Sequence, residues 1–142
     1  MLPISTTQET AAMSVCDSLG MKGRRTLVVT SDRAMAKRCR ETALGLGFEV
    51  EVAECGVDAL NAARRLLPDV VILDMELRDV YGLELVKWMR SSPDLKTVPI
   101  IAATAFALDS ADPRVSQGGL LVILRKPLQV IDLDHWLTQA VE

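Results

Sequence analysis

Short apolar blocks alternate with helical periodicities from residue 25 to the end of the chain. RTLVVT, residues 25–30, is a β-branched apolar run and predicts a first strand. Ser31 or Asp32 then caps a helix reaching about Leu46, with Gly45 and Gly47 ending it. FEVEVAE, residues 48–54, alternates with period two and predicts a strand near a sheet edge. Ala59, Leu60, Ala63, Leu66 and Leu67 recur at helical spacing until Pro68 stops them. VVILD, residues 70–74, is apolar up to its last residue, the pattern of a central strand covered on both faces. A helix over 81–91 turns Leu85, Val86 and Met89 to the core, and Pro93 lies just past its end. VPIIAAT and LLVILR predict a fourth and a fifth strand. A helix over 130–141 closes the chain, with Leu133, Trp136, Leu137 and Ala140 on one side. Between the last two strands, residues 109–119 predict only a short helix, because Pro113 is tolerated in a first turn and nowhere later.

Strands that alternate with helices in this way predict an α/β fold: a doubly wound, five-stranded parallel sheet with five helices, (βα)5. In open sheets of this kind ligands and chemistry collect beyond the carboxyl ends of the strands. Three runs finish there in reactive groups. DVVILD ends on Asp74, PIIAAT on Thr104, and LLVILRKP on Lys126–Pro127. A carboxylate, a hydroxyl and a cation at three strand ends predict one shared pocket.

Composition narrows the choice of function. The 142 residues suit one domain. Residues 1–23 are polar, small and aperiodic and read as a flexible leader; residues 24–142 form the folded domain. A net charge of −3 supplies no basic field for nucleic acid, and the stripe Arg33, Lys37, Arg40 reads as a solvated helix face. No apolar run has the length of a membrane span, and no basic start precedes an apolar stretch as in a secretory signal. Three cysteines without metal spacing fit a reducing, cytoplasmic setting. Cys39 shares a helical stripe with Met35, Ala43 and Leu46 and reads as a small buried hydrophobe, and the single histidine, His135, falls off the core stripe of the last helix. Trp88 and Trp136 read as half-buried helix anchors.

The elements VVILDMELRDVYGLELVKWMR, VPIIAATAFA and the terminal RKP, over roughly residues 24–142, resemble a receiver domain of two-component response regulators. GLELVKWM, DLKTVPIIAATAFAL and RKPLQVI are similar to single-domain cell-cycle regulators of that family. The resemblance implies a flavodoxin-like and CheY-like fold and a signalling protein rather than an enzyme. Asp74 would be the phosphoacceptor, attacking a phosphohistidine of a partner histidine kinase. Thr104 would hydrogen-bond the phosphoryl group, and Lys126 would pair with the aspartate and then with the phosphoryl oxygen. Pro127 would follow a cis peptide bond, and Gly82 matches the loop glycine. Mg2+ would be held by Asp74 and the backbone carbonyl of Glu76. With no output domain after Glu142, signalling would run through contacts with a histidine kinase, a phosphatase or another signalling protein.

The departures from the family pattern are specific. Thr30 and Ser31 stand where typical receivers carry two adjacent acids for Mg2+, so the metal site is expected to be weak. Asp32 comes one residue late: it either reaches the pocket as a ligand or caps the first helix, and the cap is the stronger reading. Ile123 replaces the aromatic residue that switches rotamer in typical receivers, and Arg78 replaces a common proline. These changes favour a competing function, a degenerate receiver that works as a protein-interaction module without phosphoryl transfer. A flavin or nucleotide binder of similar fold is disfavoured, since VVTSDRAM offers no glycine-rich phosphate loop.

Overall fold

A computed structural model describes residues 23–106 and 119–141 of the chain. The strands are β1 (Arg25–Val29), β2 (Glu49–Ala53), β3 (Val70–Asp74), β4 (Ile100–Thr104) and β5 (Val122–Arg125). They form one parallel sheet in the order β2-β1-β3-β4-β5. The described helices are α1 (Arg33–Gly45), α2 (Gly56–Leu66), α3 (Gly82–Arg90) and α4 (Val130–Ala140), with a short 3-10 turn at Pro93–Leu95. The helix expected over 109–119, Gly119 apart, and the expected leader over 1–23, Gly23 apart, lie outside the described residues.

Side-chain alternation along the strands splits the core into two halves. Leu27, Val29, Val71, Leu73, Ile100 and Ala102 point to one face, where Ala59 and Ala63 of α2 and Leu85, Val86 and Met89 of α3 cover them. Val28, Val70, Ile72, Ile101 and Ala103 point to the other, against Met35, Cys39 and Ala43 of α1 and Leu133 and Leu137 of α4. Every residue of β3 and β4 is buried, as continuous apolar runs require of central strands. EVEVA alternates because β2 is one edge of the sheet. β5 is the other edge, and its run VIL is only half-buried, so high hydrophobicity alone did not mark a central strand there.

Local chemistry sets the helix ends. The Asp32 carboxylate accepts from the N–H groups of Ala34 at 2.9 Å and Met35 at 3.3 Å and starts α1. Cys55, at the cap position of α2, makes no such bond. Asp79, from the loop after β3, takes over: both its oxygens accept from the Gly56 N–H, at 3.0 and 2.9 Å. Leu67 closes α2 in the left-handed region, at φ 50°, just before Pro68.

β1 lies between β2 and β3, so the chain reverses its direction of travel across the sheet between β1 and β3. The carboxyl ends of those two strands flank the crevice where a doubly wound sheet binds its ligand. Asp74 and Thr30 are at that crevice.

Candidate functional site

Each reactive residue stands where its strand stops. The register pairs Asp74 with Ala103 and Thr104 with Arg125, which brings the ends of β3, β4 and β5 level. The backbone extends this alignment: Met75 N–H donates to Ala103 O and Lys126 N–H to Thr104 O, both at 2.8 Å. The Lys126–Pro127 peptide is cis. Asp74, Thr104 and Lys126 therefore share one pocket.

Asp74 is 2 % exposed, so its charge needs internal partners. It has three. Oδ1 accepts from Lys126 Nζ at 2.6 Å and from the Glu76 N–H at 2.9 Å, and Oδ2 accepts from the Thr30 hydroxyl at 2.7 Å. The Thr30 hydroxyl in turn accepts from the Asp32 N–H at 3.0 Å. Thr30 thus does more than replace an acid; it donates to the carboxylate that an acid would repel.

The Glu76 side chain is the feature that sequence reasoning missed. The resemblance assigned Glu76 a backbone role only, yet its carboxylate reaches back over the pocket. Oε2 accepts from the Thr104 hydroxyl at 2.7 Å. Oε1 accepts from the Ala105 N–H at 2.8 Å and pairs with Lys126 Nζ at 3.1 Å. The turn that makes this reach possible is closed by Gly82, whose N–H donates to Met75 O at 3.0 Å, and by an antiparallel bridge between Glu76 and Tyr81. A Cβ on Gly82 would stand 2.7 Å from Met75 Cα, so the two backbones approach too closely for a larger residue. The clue available in the sequence was an acid two residues beyond Asp74, in a loop that a glycine tightens.

One ammonium therefore serves two carboxylates. Burial opposes the charge on Lys126, but hydrogen bonds and attraction from Asp74 and Glu76 outweigh it and hold its pKa above the ordinary lysine value. Burial likewise works against the Glu76 carboxylate. Hydrogen bonds from Thr104, Ala105 and Lys126, with the lysine charge, prevail and hold its pKa below the usual value.

Other candidates are less central. Asp32 is exposed and engaged in capping α1; it lines a cleft of about 310 Å3 with Met35, Arg38, Lys126 and Leu128. Ile123 is half-buried against the core beneath α2 and α3, and Arg78 is exposed. Arg33, Lys37, Arg40 and His135 are exposed, the last edge-on to Trp136 at 4.9 Å between ring centres. Trp88, 41 % exposed, is more open than a half-buried anchor.

A parallel sheet in this order, with an acid, a hydroxyl and a lysine converging at its carboxyl edge, defines the receiver class. The chain belongs to the response regulator receiver domain family, whose pattern matches residues 26–138. It is similar to the polar-differentiation response regulator DivK of Brucella ovis, with 34 % identity over 104 residues, 73 % of this chain and 85 % of that protein. Among solved structures it is similar to chemotaxis response regulator CheY4 of Vibrio cholerae, with a TM-score of 0.77 and 26 % identity over 84 % of this chain and 99 % of that one. It is also similar to a CheY-like receiver domain from Methylobacillus flagellatus, with a TM-score of 0.73 and 30 % identity over 85 % of this chain and 100 % of that one. Receivers and DivK are signalling proteins. No helix among the described residues is long and apolar enough to cross a membrane.

Receiver domains generally hold Mg2+ in an acidic pocket, so the donor set can be compared with what that ion demands. Mg2+ takes six oxygens in a near-ideal octahedron, usually with one or two carboxylates free to coordinate. Here both oxygens of Asp74 are engaged by protein donors, Asp32 Oδ1 caps a helix, and both oxygens of Glu76 are bonded. Among the described residues no group of three or more His, Cys, Asp or Glu is arranged to hold a metal. This arrangement is a poor match to what the ion demands.

Proposed function

We propose that the protein is a cytoplasmic receiver that accepts a phosphoryl group on Asp74 from a phosphohistidine of a histidine kinase. The contact of 2.6 Å between Lys126 Nζ and Asp74 Oδ1 carries this reading. A carboxylate oxygen is the nucleophile, and the ammonium beside it offsets the negative charge that a phosphoryl group brings to the pocket. An Asp74 oxygen attacks phosphorus, the phosphorus–nitrogen bond to the donor imidazole breaks, and the imidazole nitrogen keeps the electron pair. Lys126 then neutralises the phosphoryl oxygens, while Thr104 offers its hydroxyl to one of them. Output runs through protein contacts with the kinase, a phosphatase or another signalling protein. Mg2+ binding is weak, because Thr30 and Ser31 add no negative charge and Asp32 caps α1.

A second reading is that the chain works as an interaction module without phosphoryl transfer. The Thr30 hydroxyl bonded to Asp74 Oδ2 favours it, because that oxygen already has a protein partner. Incubation with acetyl phosphate and Mg2+, followed by intact mass, separates the two. A gain of one phosphoryl group in the wild type, absent from Asp74→Asn, supports the acceptor. An unmodified protein that still captures a histidine kinase supports the module.

A further inference from the structure

The donors around the Glu76 carboxylate form an unusual set for a surface glutamate. A hydroxyl, a backbone N–H and an ammonium, from three separate points of the chain, converge on one anionic group. None of the three needs a carboxylate in particular. Lys126 shares its ammonium with Asp74, and together the three donors would receive any compact oxyanion.

The phosphoacceptor reading gives the Thr104 hydroxyl and the Lys126 ammonium to phosphoryl oxygens; we infer that here the Glu76 carboxylate is a tethered occupant of those donors and of the Ala105 N–H, competing with phosphate-class anions for them. Tethering gives Glu76 its advantage, since the carboxylate is always present at high local concentration. Geometry also makes it removable. Its side chain is 24 % exposed, against 3 % for Asp74, so Glu76 leaves the pocket toward water without opening the core.

Charge counting supports competition over coexistence. One lysine already balances two carboxylates, at 2.6 and 3.1 Å. A phosphate-class anion brings up to two further negative charges into the same donors. Glu76 must withdraw before these donors can turn to the newcomer. Within the phosphoacceptor reading, on which this consequence rests, Glu76 restrains phosphorylation of Asp74 and shortens the life of the product by reclaiming its donors. The competition itself is independent of any transfer to Asp74.

The test uses the full chain as wild type, Glu76→Ala and Glu76→Gln, titrated with inorganic phosphate and followed by the amide resonances of Ala105 and Phe106. The expected result is at least tenfold tighter phosphate binding in Glu76→Ala than in wild type, with shifts confined to the pocket. Glu76→Gln preserves the shape of the side chain and guards against a folding defect; losing the charge, it also binds phosphate more tightly than wild type. Equal affinity in all three proteins overturns the inference, and so do shifts spread over surface lysines. A parallel arm measures acetyl phosphate labelling of Asp74. Tighter phosphate binding in Glu76→Ala without any labelling leaves the competition standing and removes the phosphoacceptor reading. Faster labelling in Glu76→Ala than in wild type supports both, and labelling at the wild-type rate despite tighter phosphate binding overturns the restraint.

Discussion

Thr30 gives its hydroxyl proton to Asp74 Oδ2 at 2.7 Å, joining two residues 44 positions apart in the sequence. The bond is buried, and the acceptor belongs to a carboxylate that water barely reaches. Thr30→Val keeps the shape and removes the donor. The expected loss is about 1–3 kcal/mol of folding stability, the cost of an unsatisfied buried acceptor. Urea unfolding of the two proteins measures it, and an unchanged midpoint would show that the bond contributes nothing.

Glu76 and Lys126 give the pocket opposite dependences on pH. The Glu76 carboxyl is held below its ordinary value of 4.5, so its contribution to stability is complete above pH 4.5 and is lost as the pH falls through the lowered folded value. Lys126 is held above 10.5, so its contribution is complete below pH 10.5 and is lost as the pH rises through the raised folded value. Glu76→Gln should therefore flatten the acid limb below pH 4.5 while keeping much of the alkaline one. Urea midpoints across pH test this, and an acid limb as steep as that of wild type would contradict it.

Gly82 is held by a close approach. Gly82→Ala places a methyl group 2.7 Å from Met75 Cα and 2.8 Å from Met75 Sδ, and backbone on one side cannot yield. A loss of about 1–3 kcal/mol is expected, the usual cost of overpacking. Because the same turn carries Glu76, the amide resonance of Ala105 should move as well. A variant of wild-type stability would refute the close approach.

The two described cysteines should differ in reactivity. Burial, opposed by the nearby Arg38 and reinforced by the charge of Asp74, pushes the Cys39 thiol up to about 12. A thiol so rarely ionised is inert. Cys55 is only partly buried. With a disulfide reagent and peptide mapping, Cys55 should label in the native protein and Cys39 only after unfolding in urea. Native labelling of Cys39 at a comparable rate would show that α1 opens.

Restoring acids should restore a metal site. The double variant Thr30→Asp, Ser31→Asp adds two carboxylates beside Asp74, and affinity for hard cations rises with ligand charge. Mg2+ affinity is expected to increase roughly tenfold or more, read by tryptophan fluorescence. Wild-type affinity equal to that of the variant would refute the account of the weak site.

Much of this architecture was legible because it depends on pattern. VVILD and IIAAT, apolar up to their last residues, became the central strands, and EVEVA, alternating, became an edge. Asp32 was read as a cap in preference to a pocket ligand, because a carboxylate just before a helical period can satisfy the first free N–H groups. The convergence of Asp74, Thr104 and Lys126 followed from their places at strand ends. The reach of Glu76 could not be read in the same way, because it depends on how tightly residues 75–82 turn, and that is set by a contact between Gly82 and Met75. Nor could the donor role of Thr30 be read before strand order placed β1 beside β3. The same limit applied to α2, where the cap comes from Asp79 across space and the neighbouring Cys55 makes no side-chain cap bond.

That capping contact has a mechanical consequence. Asp79 grips the Gly56 amide with both carboxylate oxygens, while three residues earlier in the same loop Glu76 leans over the pocket. The loop is thus a strut between the reactive edge and the opening turn of α2, where Val57 faces the solvent. Any rearrangement that pulls this segment away from Thr104 also tugs on that helix, so what happens among a few oxygens can be felt on an outer face of the molecule.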